Sequence, residues 1–184
     1  YGFRLDLLLS KWDQFRGVKR LYVDNPDAKR RFLRQLAYKI HSAKKRRRTI
    51  DLVELEEVYG EALGKWGYDF DFAKIIKDLV VGSGLIIEER PGVFSFGHLT
   101  FQEHLVGEYI TKFSIPQIAS LLGDDWWREP LKFYASLVGN IDELVDYLMN
   151  DTYFSGYAKQ LAEMITYAPY TSPGAVDCVE ASML

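Results

Sequence analysis

The chain has three histidines and a single cysteine, so there are few places for side-chain chemistry. His98, Glu103 and His104 lie close together in sequence, yet their spacing is neither H-E-x-x-H nor H-x-x-E-H. At about 100° per residue the three do not share one face of a helix, so a zinc site is not expected. Cys178 has no neighbouring histidine and reads as a small core residue. Gly82-Ser83-Gly84 lacks the Lys-Ser/Thr ending of a phosphate-cradling loop and reads as a helix stop. Neither a P-loop nor a Walker B carboxylate occurs, so no catalytic residue is assigned and the chain itself is not expected to hydrolyse ATP. Asp124-Asp125 ahead of Trp126 has the form of an N-cap with a favourable dipole contact. Trp126 and Trp127 read as a core anchor rather than a ligand cage. His98 by itself reads as a helix-end histidine that caps a loop or packs beside Phe96 and Phe101.

The run Lys44-Lys45-Arg46-Arg47-Arg48 raises a second chemistry, because nucleic-acid phosphates attract Lys and Arg. The helix that would enter a major groove, predicted over 69–81, offers Lys74 and Lys77 against Asp69, Asp71 and Asp78. It has no Arg, Asn or Gln to read base edges. The hairpin that follows carries Glu88 and Glu89 beside Arg90. Sequence-specific DNA reading is disfavoured, and the run is read as a solvated helix end that complements the macrodipole. Binding to an acidic partner surface is left open.

These residues need elements to hold them. Leu5, Leu8, Leu9 and Trp12 predict a helix over 1–15, stopped by Gly17. Asn25-Pro26-Asp27 predicts a turn. A helix over 28–43 buries Phe32, Leu33, Leu36, Ala37 and Ile40. Asp51 is the expected N-cap of a third helix, with Glu54 completing a capping box and an inner face of Leu52, Leu55, Val58, Tyr59 and Leu63. A fourth helix turns Phe72, Ile75, Ile76, Leu79 and Val80 inward. The period then changes: residues 85–89 and 93–96 read as strands around an Arg90-Pro91-Gly92 turn. A hairpin after three helices is the layout of a winged helix. Another helix is expected over 99–112, with Thr100 and Glu103 at capping-box spacing. Helices over 116–122, 126–138, 141–149 and 155–166 follow, and Ser172-Pro173 predicts one more that continues to the last residue. Their succession suggests the start of a helical stack, with no fixed sequence period.

Composition agrees with a globular protein: 48% hydrophobic and 15% aromatic residues supply a core, and a net charge of −3 argues against a general nucleic-acid coat. One cysteine rules out an intrachain disulfide framework and fits a reducing compartment. No apolar run reaches the roughly 20 residues needed to span a bilayer, so a cytoplasmic location is the default expectation. Tyr1 in place of Met, and the helical pattern at the far end, suggest a piece of a longer polypeptide.

Residues 94–109, FSFGHLTFQEHLVGEY, resemble the F-x-F-x-H-x-(S/T)-F-Q-E-(F/Y)-L-A-A motif of the winged helix in NACHT-type signalling ATPases, the STAND group that includes animal NLR receptors and bacterial antiviral ATPases. Phe94, Phe96, His98, Thr100, Phe101, Gln102, Glu103 and Leu105 match. His104 stands where Phe or Tyr is usual, and Val106-Gly107 replaces the customary Ala pair. Leu7-Leu8-Leu9-Ser10-Lys11-Trp12-Asp13 resembles the Leu-Leu-x-x-Trp-Asp helix that ends the helical domain following the family's nucleotide-binding core. The resemblance covers about residues 5–110.

The resemblance implies a mainly α fold. Residues 1–24 would close a helical domain, 25–112 form a winged helix with a small hairpin wing, and 113–184 begin a helical, superhelix-like domain. It also implies a regulatory function: relaying ADP/ATP state between an upstream NACHT ATPase core and a downstream sensor, in antiviral or innate immune defence. In the resting state His98 would donate a hydrogen bond to the β-phosphate of ADP held by the upstream core. Exchange for ATP would release this contact and expose an oligomerisation surface. ATP/ADP and Mg are thus expected cofactors of the full-length protein, none of them held by this chain alone. Expected partners are the flanking domains of the same chain and, on activation, further copies, with no specific DNA and no membrane. A winged-helix DNA-binding module and a protein-interaction scaffold are the rival readings.

Overall fold

A computed structural model describes residues 8–9, 25–64, 71–149 and 154–183. The helix expected over 1–15 falls mostly outside these residues, apart from Leu8 and Leu9, which are helical, with Leu9 buried. The start of the helix predicted from Asp69 also lies outside them. Two compact units result, Tyr1–Val106 and Gly107–Leu184.

In the first unit α1 spans Pro26–His41. Asn25 caps it by accepting from the Ala28 N–H at 2.9 Å, and Pro26 occupies the first turn, where its missing N–H costs nothing. Phe32, Leu33, Leu36, Ala37 and Ile40 are fully buried, as the spacing predicts, and each large apolar side chain contributes about 1.5–3 kcal/mol. Because α1 ends at His41, residues 44–48 lie in the following loop. The reading of the basic run as a helix end is corrected: Lys39 and His41 are the basic residues of the last turn.

A short strand β1, Thr49–Asp51, follows the loop, and helix α2 spans Leu52–Ala62. Asp51 is the N-cap, accepting from the Glu54 N–H at 2.9 Å. The expected reciprocal arm of the capping box is diverted, since the Glu54 carboxylate meets Arg47 Nη1 at 2.7 Å. Leu52 is 44% exposed rather than inward, its N–H bonded to the Gly92 carbonyl. Leu55, Val58 and Leu63 are buried as expected.

Helix α3, Phe72–Lys77, is capped by Asp71 and passes into a π-helical turn, Asp78–Gly82. The stop at Gly82-Ser83-Gly84 is as predicted: Ser83 N–H bonds to the Asp78 carbonyl, and Gly84 takes φ +65. Strands β2, Ile86–Arg90, and β3, Val93–Phe96, form the wing around Gly92 at φ +74. The antiparallel sheet has the order β1-β3-β2, with Thr49 opposite Ser95 and Ile86 opposite Phe96. Helix α4 spans Leu99–Ile110, and the boundary between the two units falls inside it, after Val106.

The second unit is helical: α5 Ile115–Ala119, a 3-10 turn Asp125–Trp127, α6 Arg128–Val138, α7 Asp142–Leu148, α8 Phe154–Ile165 and α9 Pro173–Ala181. Helix α5 packs on α7, α6 on α8 and α7 on α9, while α8 also meets α9. Packing of each helix on the one two places further along is how stacked helix pairs share a core. Asp124 caps the 3-10 turn through the Trp126 N–H at 2.8 Å. Trp126 and Trp127 are half-buried rather than core anchors, and so is Cys178. Ser172 caps α9, which ends at Ala181 instead of continuing to the last residue.

Candidate functional site

Alternation along β3 sends Phe94 and Phe96 into the core, where they are 5% and 6% exposed. Gly97 turns the chain from β3 into α4 at a point where no side chain fits. A Cβ there would lie 2.6 Å from the Gly84 carbonyl oxygen, and the Gly97 N–H bonds to the Leu85 carbonyl at 3.0 Å. This backbone seat delivers His98 to the N-terminal end of α4.

His98 is exposed, whereas most of the surrounding motif is not. Gln102, His104 and Leu105 are buried, with Phe101 half-buried and its ring centroid 6.0 Å from that of His98. The plain expectation of packing beside Phe101 is therefore met, while the exposed imidazole keeps the ability to donate to a ligand. The first bond of α4 runs from the Phe101 N–H to the His98 carbonyl at 3.1 Å. Thr100 thus sits within the first turn and is not its cap. The positive end of the dipole of a twelve-residue helix favours an anion beside His98.

Gln102 carries a contact that the sequence did not reveal. Its Nε2 lies 3.5 Å from His41 Nδ1, and both residues are 1% exposed. The motif glutamine therefore joins α4 to the C-terminal end of α1. His41 is a basic residue of the last turn of α1 at helical spacing from buried Ala37, which is the signal that pointed inward.

Elsewhere the structure redistributes charges. Asp78, counted above among the acids of the groove-facing helix, is 3% exposed and pairs with equally buried Lys29 at 2.7 Å. Lys74 and Lys77 remain exposed on α3, with Asp71 3.8 Å from Lys74. Among the described residues no cluster of His, Cys, Asp and Glu is placed to hold a metal. Nor is any described helix long and apolar enough to cross a membrane. A cleft of about 150 Å³ in the second unit is bordered by Arg128, Lys159, Gln160 and Glu163. Arg128 grips Glu163 with both arms of its guanidinium, Nε to Oε2 at 2.6 Å. That hydrogen bond holds the Glu163 carboxyl below its usual range.

A family model described as "Winged helix-turn-helix domain C-terminal to NACHT" matches residues 1–110. Comparison with curated proteins and with solved structures gives no match. The matched residues contain β1, α2, α3 and the β2–β3 wing in the order and pairing just described, and they end with α4. The chain belongs to the family of winged helix-turn-helix domains that follow a NACHT module.

Proposed function

We propose that this chain relays the nucleotide state of an upstream NACHT ATPase to a downstream sensor, with His98 as the phosphate-sensing group. In this reading His98 donates an N–H to the β-phosphate of ADP in the resting protein, and exchange for ATP removes that contact. A contact present in one nucleotide state and absent in the other is what biases a two-state element. The observation that carries the reading is the contrast within one motif: Phe94, Phe96, Gln102 and Leu105 are buried, while His98 stands exposed at the start of α4. Burial in the core explains the first four, whereas His98 packs beside Phe101 and still stands exposed. Catalysis belongs to the NACHT module, with its ATP and Mg, and this chain alone turns over no ATP. Signalling in antiviral or innate immune defence, through oligomerisation of the whole protein in the cytoplasm, follows from the resemblance of the motif.

The test is nucleotide release from the polypeptide that joins this chain to its NACHT module. A hydrogen bond to a charged group contributes about 1.5–3 kcal/mol, so His98→Ala is expected to speed ADP release by roughly ten-fold or more. Unchanged release in that variant would end the reading. The exposed face of α3, with two lysines beside Asp71, gives the DNA-binding alternative little support.

A further inference from the structure

Ten of the chain's 23 Lys and Arg residues lie between Lys29 and Arg48, a stretch with no Asp or Glu. The rest of the chain sets 13 basic residues against 26 acids. Folding commits part of this charge internally: Lys29 pairs with Asp78, Arg31 donates to the Ala62 carbonyl, and Arg47 meets Glu54. Lys44, Lys45, Arg46 and Arg48 are exposed on the loop between α1 and β1.

The two ends of that loop fix where it sits. It leaves α1 at His41, which lies 3.5 Å from Gln102, and it enters β1 at Thr49, which pairs with Ser95. Ser95 and Gln102 bracket His98, three residues before it and four after it. Because β1 and β3 are antiparallel, stepping back from Thr49 into the loop moves in the same direction as stepping from Ser95 towards His98. Three extended residues span at most about 11 Å, within reach of long basic side chains. The wing turn at Gly92 lies at the other end of β3, beside Asp51, so the loop does not extend the wing as a groove contact.

We infer that the loop over 42–48 is a polyphosphate-binding element that completes the His98 site. Lys44, Lys45, Arg46 and Arg48 supply charge, and His98 supplies one directed N–H. A lone anion would be served by His98 and the helix start; four further cations match the several charges of a nucleotide di- or triphosphate chain. The inference rests on the reading of His98 as a phosphate donor and adds the basic loop to that site. Glu89 is held nearby by the Ser95 hydroxyl at 2.6 Å, and it disfavours an anion placed over the strand instead of the loop.

The experiment titrates the 184-residue chain with inorganic tripolyphosphate, ADP and a short DNA duplex, by calorimetry and by NMR of the histidine side chains. Tripolyphosphate is expected to bind and to shift the His98 signals, with affinity falling as salt rises. The variant K44Q/K45Q/R46Q/R48Q should keep the wild-type fold by circular dichroism and lose at least ten-fold in tripolyphosphate affinity. Loss in the loop variant with no change in His98→Ala supports the loop and retires His98 as the donor. Loss in His98→Ala with no change in the loop variant overturns the loop and leaves the donor in place. Absence of tripolyphosphate binding, or duplex DNA bound more tightly than tripolyphosphate, also overturns the inference.

Discussion

Gly107 replaces one of the customary alanines of the motif, and the packing around it gives the reason. A Cβ at this position would lie 2.6 Å from Phe133 Cβ, 3.0 Å from the Pro130 carbonyl oxygen and 3.1 Å from the Tyr134 nitrogen. Helix α6 therefore approaches the backbone of α4 too closely for any side chain. Two effects oppose each other on substitution. Alanine in a helix interior is favoured over glycine by up to about 1 kcal/mol, while overpacking a tight contact costs about 1–3 kcal/mol. Two of the three nearest atoms are backbone, so relief requires the helices to shift, and overpacking wins. Gly107→Ala is expected to lower stability by about 1–2 kcal/mol in urea unfolding; an equal or raised midpoint would show that α6 gives way freely.

The buried pair Lys29–Asp78, next to Leu9, ties α1 to the π-helical turn that follows α3. Lys29→Met alone removes one partner of a buried ion pair and should cost about 3–5 kcal/mol. Pairing it with Asp78→Leu should recover most of that loss, because an apolar pair of similar volume avoids both desolvation costs. Chemical denaturation of the two variants decides it: equal losses in the single and double variants would mean that the charges are not the cause. This pair also shows what could be read from sequence and what could not. Helical spacing identified the stripe from Phe32 to Ile40, the caps at Asp51 and Ser172, and the wing around Gly92, because those signals are local. Lys29 and Asp78 each look like solvated charges until α1 meets the turn after α3. Strand β1 was missed for a similar reason: three residues carry no period, and only pairing with β3 makes Thr49–Asp51 a strand. His98 was legible through its motif, whereas His41 opposite Gln102 depended on a contact between residues 61 apart.

The two units differ in how acid should act on them. In Gly107–Leu184, Asp142 and Glu163 both have carboxyl groups held below their ordinary range. For Asp142 the main cause is the Ser172 N–H at 2.8 Å, helped by the Asn140 side chain, and this bond joins the start of α7 to the start of α9. For Glu163 it is the hydrogen bond from Arg128, which joins α8 to α6. Each group ionises more readily in the folded chain than in the unfolded one. Its contribution is therefore complete above the unfolded value of roughly 4 and is lost as pH falls through the lower folded value. Both groups are half-buried and still reach solvent, so each effect is small and screened by salt. Hydrogen exchange between pH 6 and 3, corrected for the intrinsic pH dependence of exchange, should show protection falling in α7, α8 and α9. The double variant D142N/E163Q should start from lower protection at pH 6 and respond less to acid, since its amides do not titrate. A pH response as steep as that of the unaltered chain would place the acid-sensitive groups elsewhere.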